Sequence, residues 1–384
     1  MNSIVEKDLD WIPIMHNATK WEKVSDNQYL LYNEYYQTKM FVSYSAIAIV
    51  LQINNANTIQ EITDKLTSGN AKNIDYERVL SFIKDQLYKN GIIEIENIKI
   101  KKKKSHIHLE RIIIPEKILQ KICHPLVFLF KKPVVLSVIT FCVICNISIL
   151  IKELPWQKSI INETNIIIFL IGLIILFLFH EIGHCTALQF FGKNSKGIGF
   201  GFYFFSPVLF ADVNPSWTLS PKKKMVVDIG GFYFQFIITT VYLVFYEITD
   251  QAALLNIAYL SYIIFIFNMN PLINTDMYWF LSDALHHVNL NKEAMKELAI
   301  LFKKGRKEKL NIFLLLFGMV KILFITIIFI LITYFLIKTL HVIVTGKYTI
   351  SFYTVFKDII LGIGFIFFVR EIINMVLKQR YKRN

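Results

Sequence analysis

Residues 165–191, NIIIFLIGLIILFLFHEIGHCTALQFF, constrain this chain more than any other stretch. Fifteen uncharged, mostly apolar residues run straight into His180-Glu181-Ile182-Gly183-His184, and together with the residues up to Phe191 they are long enough to cross a bilayer. On a helix the two histidines stand one turn apart, at i and i+4. Both imidazoles then point the same way and can share one zinc ion at about 2.0–2.1 Å. Glu181 lies beside them, placed to take a proton from water. An ionisable side chain inside such a span costs about 2.5–3.5 kcal/mol on insertion scales, a cost that points to function.

The rest of the chain fits a membrane setting. A hydrophobic fraction of 54% and a mean hydropathy of +0.46 over 384 residues are too apolar for a soluble globular protein. The net charge of +13 sits in lysines at the ends of apolar segments, which suits anionic lipid headgroups better than nucleic acid. The first thirty residues carry charges and no apolar run, so no cleavable signal is expected and the amino terminus stays in the cytosol. Apolar segments lie at 134–151, 165–191, 225–248, 252–275, 312–338 and 351–377, giving six expected crossings. With a cytosolic amino terminus, the inner loops and tail hold sixteen Lys/Arg and the outer loops four, so both termini are expected on the cytosolic side of the cell membrane. The four cysteines give no disulfide framework, and Cys142 and Cys145, a CxxC within an apolar helix, read as packing.

Residues 1–100 are a different kind of protein. Val24–Tyr32 and Lys39–Val42 read as short strands. SYSAIAIVLQI, TIQEITDKL and DYERVLSFIKDQLYKN read as three amphipathic helices, with Thr58 and Asp75 as N-caps. Gly91 ends the third helix, and IIEIENIKI alternates like a wing strand, so the expected unit is a small cytosolic α+β winged-helix domain. DNA binding is the usual role of that shape. The third helix, however, carries Glu77, Arg78, Lys84, Asp85 and Lys89, a mixed face that argues against phosphate readout. The same pattern resembles the leader-peptide recognition domains of ribosomal-peptide maturation systems, typified by the pyrroloquinoline-quinone peptide chaperone. That resemblance implies an extended peptide added to a sheet edge, with Lys39, Met40, Phe41 and Val42 and the face of 75–87 as its groove. Residues 101–133 read as a basic juxtamembrane linker and 134–384 as a six-helix membrane domain.

A second polar cluster lies on the fourth expected span. His180 is about 22 Å down an inward-running second helix, and Asn268-Met269-Asn270-Pro271-Leu272-Ile273-Asn274-Thr275-Asp276 is reached about 24 Å down an inward-running fourth. Pro271 removes an amide donor and pushes Asn270 out of helical geometry, so the helix must break there. Broken backbone at that depth is tolerated only against protein or a wet cavity, where Asn268, Asn270 and Asn274 can satisfy freed peptide groups. Zinc on two histidines needs a third protein ligand, and Asp276 is the best carboxylate at the right depth. Between the clusters, 197–213 (GIGFGFYFFSPVLFADV) is too interrupted to span and reads as a re-entrant hairpin near the site. Gln235 on the third helix is placed to orient a scissile carbonyl, or to serve as a satisfied buried amide.

HEIGH on one span and NMNPLINTDMYWFLSD on a later one resemble the site-2 protease family of intramembrane zinc metalloproteases, and GFGFYFFSPVLFADVNPSW with VVDIGGFYFQF looks like its peptide-maturation branch. The likeness covers about 165–285. It implies His180, His184 and Asp276 as ligands of one zinc ion per chain and Glu181 as acid/base. Met277 departs from the pattern, since the family has glycine after the aspartate, and this puts the local backbone in question. The expected function is an intramembrane zinc endopeptidase that hydrolyses a ribosomally made precursor peptide, such as a bacteriocin or signal. Its expected partners are that peptide, the lipid bilayer, and a peptide-modifying enzyme or exporter; no nucleic acid is expected. Alternatives are cleavage of a membrane-tethered regulator such as an anti-sigma factor, a non-proteolytic peptide transporter or immunity protein, and a DNA-binding sensor.

Overall fold

The computed structural model describes residues 12–25, 28–33, 35–36, 38–68, 75–94, 107–152, 165–203, 206–287, 289–301 and 311–344. It divides into two units, one holding residues 1–106 and 214–220 and the other 107–213 and 221–384.

The first unit is a small α+β body. After β1 (Ile14–Met15), strands β2 (Thr19–Ser25), β3 (Gln28–Asn33) and β4 (Thr38–Ser43) form an antiparallel meander that sets Trp21 opposite Leu31 and Leu31 opposite Met40. Three helices come next: α1 (Tyr44–Leu51), α2 (Ile59–Ser68) and α3 (Tyr76–Ser81), the last continued by a π-type segment, Phe82–Tyr88. Then β5 (Ile93–Glu94) pairs with β1. Leu31, Val42, Ile47, Ile62, Val79, Ile83 and Leu87 close over one another as the core, because apolar residues recur every three to four positions in the helices and on one face of the sheet. The expected caps are present. The Asp75 side chain accepts from Arg78 N–H at 2.8 Å, and Thr58 and Glu61 form a reciprocal capping box. Gly91 adopts φ +70°, and a Cβ there would come within 2.5 Å of the Tyr36 ring.

Two details of this unit differ from the sequence reading. Val24–Tyr32 is not one strand: β2 ends at Ser25 and β3 begins at Gln28, the two pairing antiparallel, and 26–27 lie outside the described residues. Of the expected wing at 92–100, Ile93–Glu94 is a strand and 95–100 lie outside the described residues.

In the second unit, β6 (Ile107–Pro115) and α4 (Glu116–Cys123), followed by a 3₁₀ turn at His124–Phe130, occupy much of the stretch read as a linker. The helices continue as α5 (Lys132–Lys152) and α6 (Ile166–Phe190). Strands β7 (Gly197–Tyr203) and β8 (Ser206–Ala211) form the hairpin expected over 197–213, and β6 adds to it antiparallel, giving the order β6-β7-β8. Helices α7 (Pro221–Thr249), α8 (Ala252–Asn268), α9 (Asp276–Ala284), α10 (Leu290–Leu301) and α11 (Ile312–Val344) complete the described chain.

Among the described residues four helices are long and apolar enough to cross a membrane: α5, α6, α7 and the 312–331 part of α11. The expected crossing at 252–275 is shorter. α8 has 17 residues and stops at Asn268, ahead of the break that Pro271 imposes. The expected crossing at 351–377 lies outside the described residues. Gly183 of α6 and Gly230 of α7 bring two backbones together, since a Cβ on Gly183 would sit 2.3 Å from Gly230 O. Polar links tie α5, α7 and α8: Asn146 donates to Thr240 Oγ1 at 2.7 Å and accepts from the Tyr262 hydroxyl.

Candidate metal centre

His180 and His184, one turn apart on α6, both turn their Nε2 atoms toward Asp276, the first residue of α9. His180 Nε2 is 3.0 Å from Asp276 Oδ2, His184 Nε2 is 3.6 Å from it, and the two nitrogens are 3.2 Å apart. The outer nitrogens fix which tautomer each ring holds. His184 Nδ1 faces the Val227 carbonyl oxygen at 2.7 Å, an acceptor only, so it must carry the proton. His180 Nδ1 faces Gln235 Oε1 at 3.1 Å, while Gln235 Nε2 donates to the Ser261 carbonyl at 2.9 Å and hydroxyl at 3.1 Å. Each imidazole, when neutral, thus presents a lone pair at Nε2. Those two nitrogens and the Asp276 carboxylate oxygen converge within 3.6 Å of one another, an arrangement that a shared cation would satisfy.

The donor set fits zinc. Ligands bound tetrahedrally at about 2.0–2.1 Å lie roughly 3.3–3.4 Å from one another, and the three separations here bracket that value. Among the described residues these three form the group able to hold a metal. Outer hydrogen bonds from ligand histidines to an amide and a carbonyl are those that metal-binding imidazoles use to fix ring orientation. Gly231 of α7 keeps the space open: a Cβ there would stand 2.3 Å from His184 Nε2 and 2.7 Å from His180 Nε2.

Glu181 is held from another direction. Its Oε2 accepts from the Ala211 N–H of β8 at 2.7 Å. Ala211 lies opposite Ile198, and the neighbouring rung is closed by Asp212 N–H to the Gly197 carbonyl, so the Ala211 amide points away from the hairpin and is available to Glu181. Sequence reasoning missed this contact, because a backbone donor leaves no side-chain signature.

The remaining candidates fall in four places. Asn270 Oδ1 accepts from Leu272 N–H at 2.9 Å and its carbonyl accepts from Thr275 Oγ1 at 2.8 Å, so Asn270 shapes the turn that presents Asp276. Asn268 is the half-buried last residue of α8. Gln235, only 2% exposed, is hydrogen-bonded to His180 and Ser261, so it stands behind the imidazole as a satisfied buried amide. Lys39, Met40, Phe41 and Val42 lie in β4 of the first unit. There Met40 and Val42 face the core, while Lys39 and Phe41 lie against Trp217 of the 214–220 segment that belongs to the same unit.

A Bacillus subtilis (strain 168) protein named "Putative peptide zinc metalloprotease protein YydH" is 30% identical to this chain over 126 residues. The match covers 32% of this chain and 47% of the relative, so the chain spans about half the length of the curated protein it resembles. No protein-family model matches the chain. No solved structure matches it either. The likeness is therefore to a zinc protease over a third of the sequence, and it agrees with a donor set suited to zinc.

Proposed function

We propose that this chain is a membrane-embedded zinc endopeptidase of the site-2 type, in which His180, His184 and Asp276 hold one zinc ion and Glu181 is the acid/base. The observation that carries the reading is the convergence of His180 Nε2, His184 Nε2 and Asp276 Oδ2 within 3.6 Å of one another. When bound there, zinc would act as a Lewis acid, lowering the pKa of water toward about 7 and polarising a peptide carbonyl.

The residues of the chain do the rest. Gln235 and the Val227 carbonyl keep both rings in the tautomer that leaves Nε2 free. Glu181 takes the proton of the attacking water and passes it to the departing amine as the C–N bond breaks. β8, at one edge of its sheet, offers backbone groups to a peptide held extended beside Glu181. The substrate in this reading is a small ribosomally made precursor peptide, bound through its leader by the amino-terminal unit acting as a winged-helix recognition domain. Tethering raises its local concentration, so the cut site need not be strongly read. A modifying enzyme or exporter would act before or after the cleavage, at the cell membrane.

The test is mass spectrometry of peptides from cells that make a candidate precursor with either the unaltered protein or Glu181→Gln. The expected result is loss of the cleaved product with metal content unchanged. Equal processing by Glu181→Gln would exclude the mechanism.

A further inference from the structure

Lys224, near the start of α7, is only 7% exposed, and its Nζ lies 2.8 Å from Asp283 Oδ1 on α9. A buried ion pair is weak evidence for stability, since desolvation offsets most of the attraction. Its position suggests another use. Asp283 comes seven residues after Asp276, two turns along α9, so both project from the same side of that helix. Lys224 precedes Gly231 by seven residues on α7, again two turns and one side. α7 and α9 pack directly against each other. Two contacts about 10 Å apart therefore join them: Lys224 with Asp283 at one end, and at the other Gly231 beside the imidazole nitrogens that meet Asp276.

Resting on the zinc reading above, we propose that the Lys224–Asp283 pair positions the third metal ligand by fixing the tilt of α9. α9 has nine residues and is preceded by the non-helical 269–275 turn, so its tilt is not set by continuity with α8. A tilt of about 6° about the Asp283 end moves Asp276 by about 1 Å over that length. Metal–ligand distances tolerate about 0.2 Å. The same side of α7 carries Asp228, one turn after Lys224, whose Oδ2 is buried without a hydrogen-bond partner. Loss of Lys224 thus removes the cation that Asp283 faces in this pair, on a side of α7 where Asp228 Oδ2 is already buried without a hydrogen bond.

The experiment titrates the purified, metal-stripped full chain with cobalt(II), read by visible absorption, which reports coordination geometry. Lys224→Met and Asp283→Asn are each expected to weaken cobalt binding by about 10- to 100-fold and to change the band shape, as loss of an outer orienting contact does. The exchange Lys224→Asp with Asp283→Lys is expected to restore affinity to within about threefold. Lys152→Met, which breaks the exposed Lys152–Glu247 pair, is expected to leave the titration unchanged. Thermal unfolding of each metal-free protein separates folding from positioning. The proposal is overturned if the single variants bind cobalt as the unaltered protein does, or if the exchange recovers unfolding temperature but not affinity. If the unaltered protein shows no cobalt binding that His184→Ala removes, the zinc reading fails and this inference fails with it.

Discussion

Gly231 stands so close to His184 that a single methyl group on it would lie 2.3 Å from Nε2, inside any permitted contact. The bare backbone of α7 is what leaves the two Nε2 nitrogens clear. Gly231→Ala should therefore abolish stoichiometric zinc binding while α6 and α7 still associate through Gly183 and Gly230. Metal analysis after purification, with circular dichroism to check helix content, reads the outcome.

Gln235 ties His180 to Ser261 and so sets the ring's tautomer. Gln235→Leu should weaken zinc binding by about 10- to 100-fold, because His180 loses its outer acceptor. Competition with a calibrated chelator measures it, and unchanged affinity would show that the amide only packs.

The Ala211 amide holds Glu181 from the edge of the hairpin. Ala211→Pro deletes that N–H at a position where an edge strand tolerates proline. Peptide cleavage should fall roughly tenfold, part of the about 10²–10⁴ a placed acid/base contributes, with zinc content unaltered.

Asn146 joins α5 to α7 and α8 through Thr240 and Tyr262. Asn146→Leu should lower stability by about 0.6–1.7 kcal/mol, the range for such links between membrane helices. Unfolding in mixed micelles would record the change.

Cys123, at the end of α4, is 1% exposed, and burial pushes its thiol up from the ordinary range. A raised pKa means less thiolate at any pH below it, so native Cys123 should alkylate more slowly than a free thiol across neutral pH. Denaturation should abolish the difference, as peptide mapping with a maleimide would show.

What the sequence revealed about the site depends on the reach of each interaction. His180 and His184 are legible because a helix turn relates them, and Asp276 because Pro271 forces a break in an apolar run at matching depth. Gln235 was visible only as a polar residue in a span. Its partners lie on α6 and α8, and spacing along one helix carries no information about them. β6 escaped notice because the lysine run at 101–104 dominates the composition just before Ile107, although the strand itself is mostly apolar. In the first unit, helix caps and core periodicity were readable, whereas the division of β2 from β3 between Ser25 and Gln28 was not, because Val24 and the apolar 29–32 stretch read together as one run.

The brevity of α8 has a consequence for the surrounding lipid. Its 17 residues reach about 25 Å, against roughly 30 Å of acyl chains in an average membrane. If α8 lies in the bilayer as the proposed function has it, the leaflet beside it would thin to meet the polar turn that precedes Asp276. The proposed hydrolysis would consume water, so longer acyl chains, which deepen the mismatch, are expected to slow it without displacing His180, His184 or Asp276.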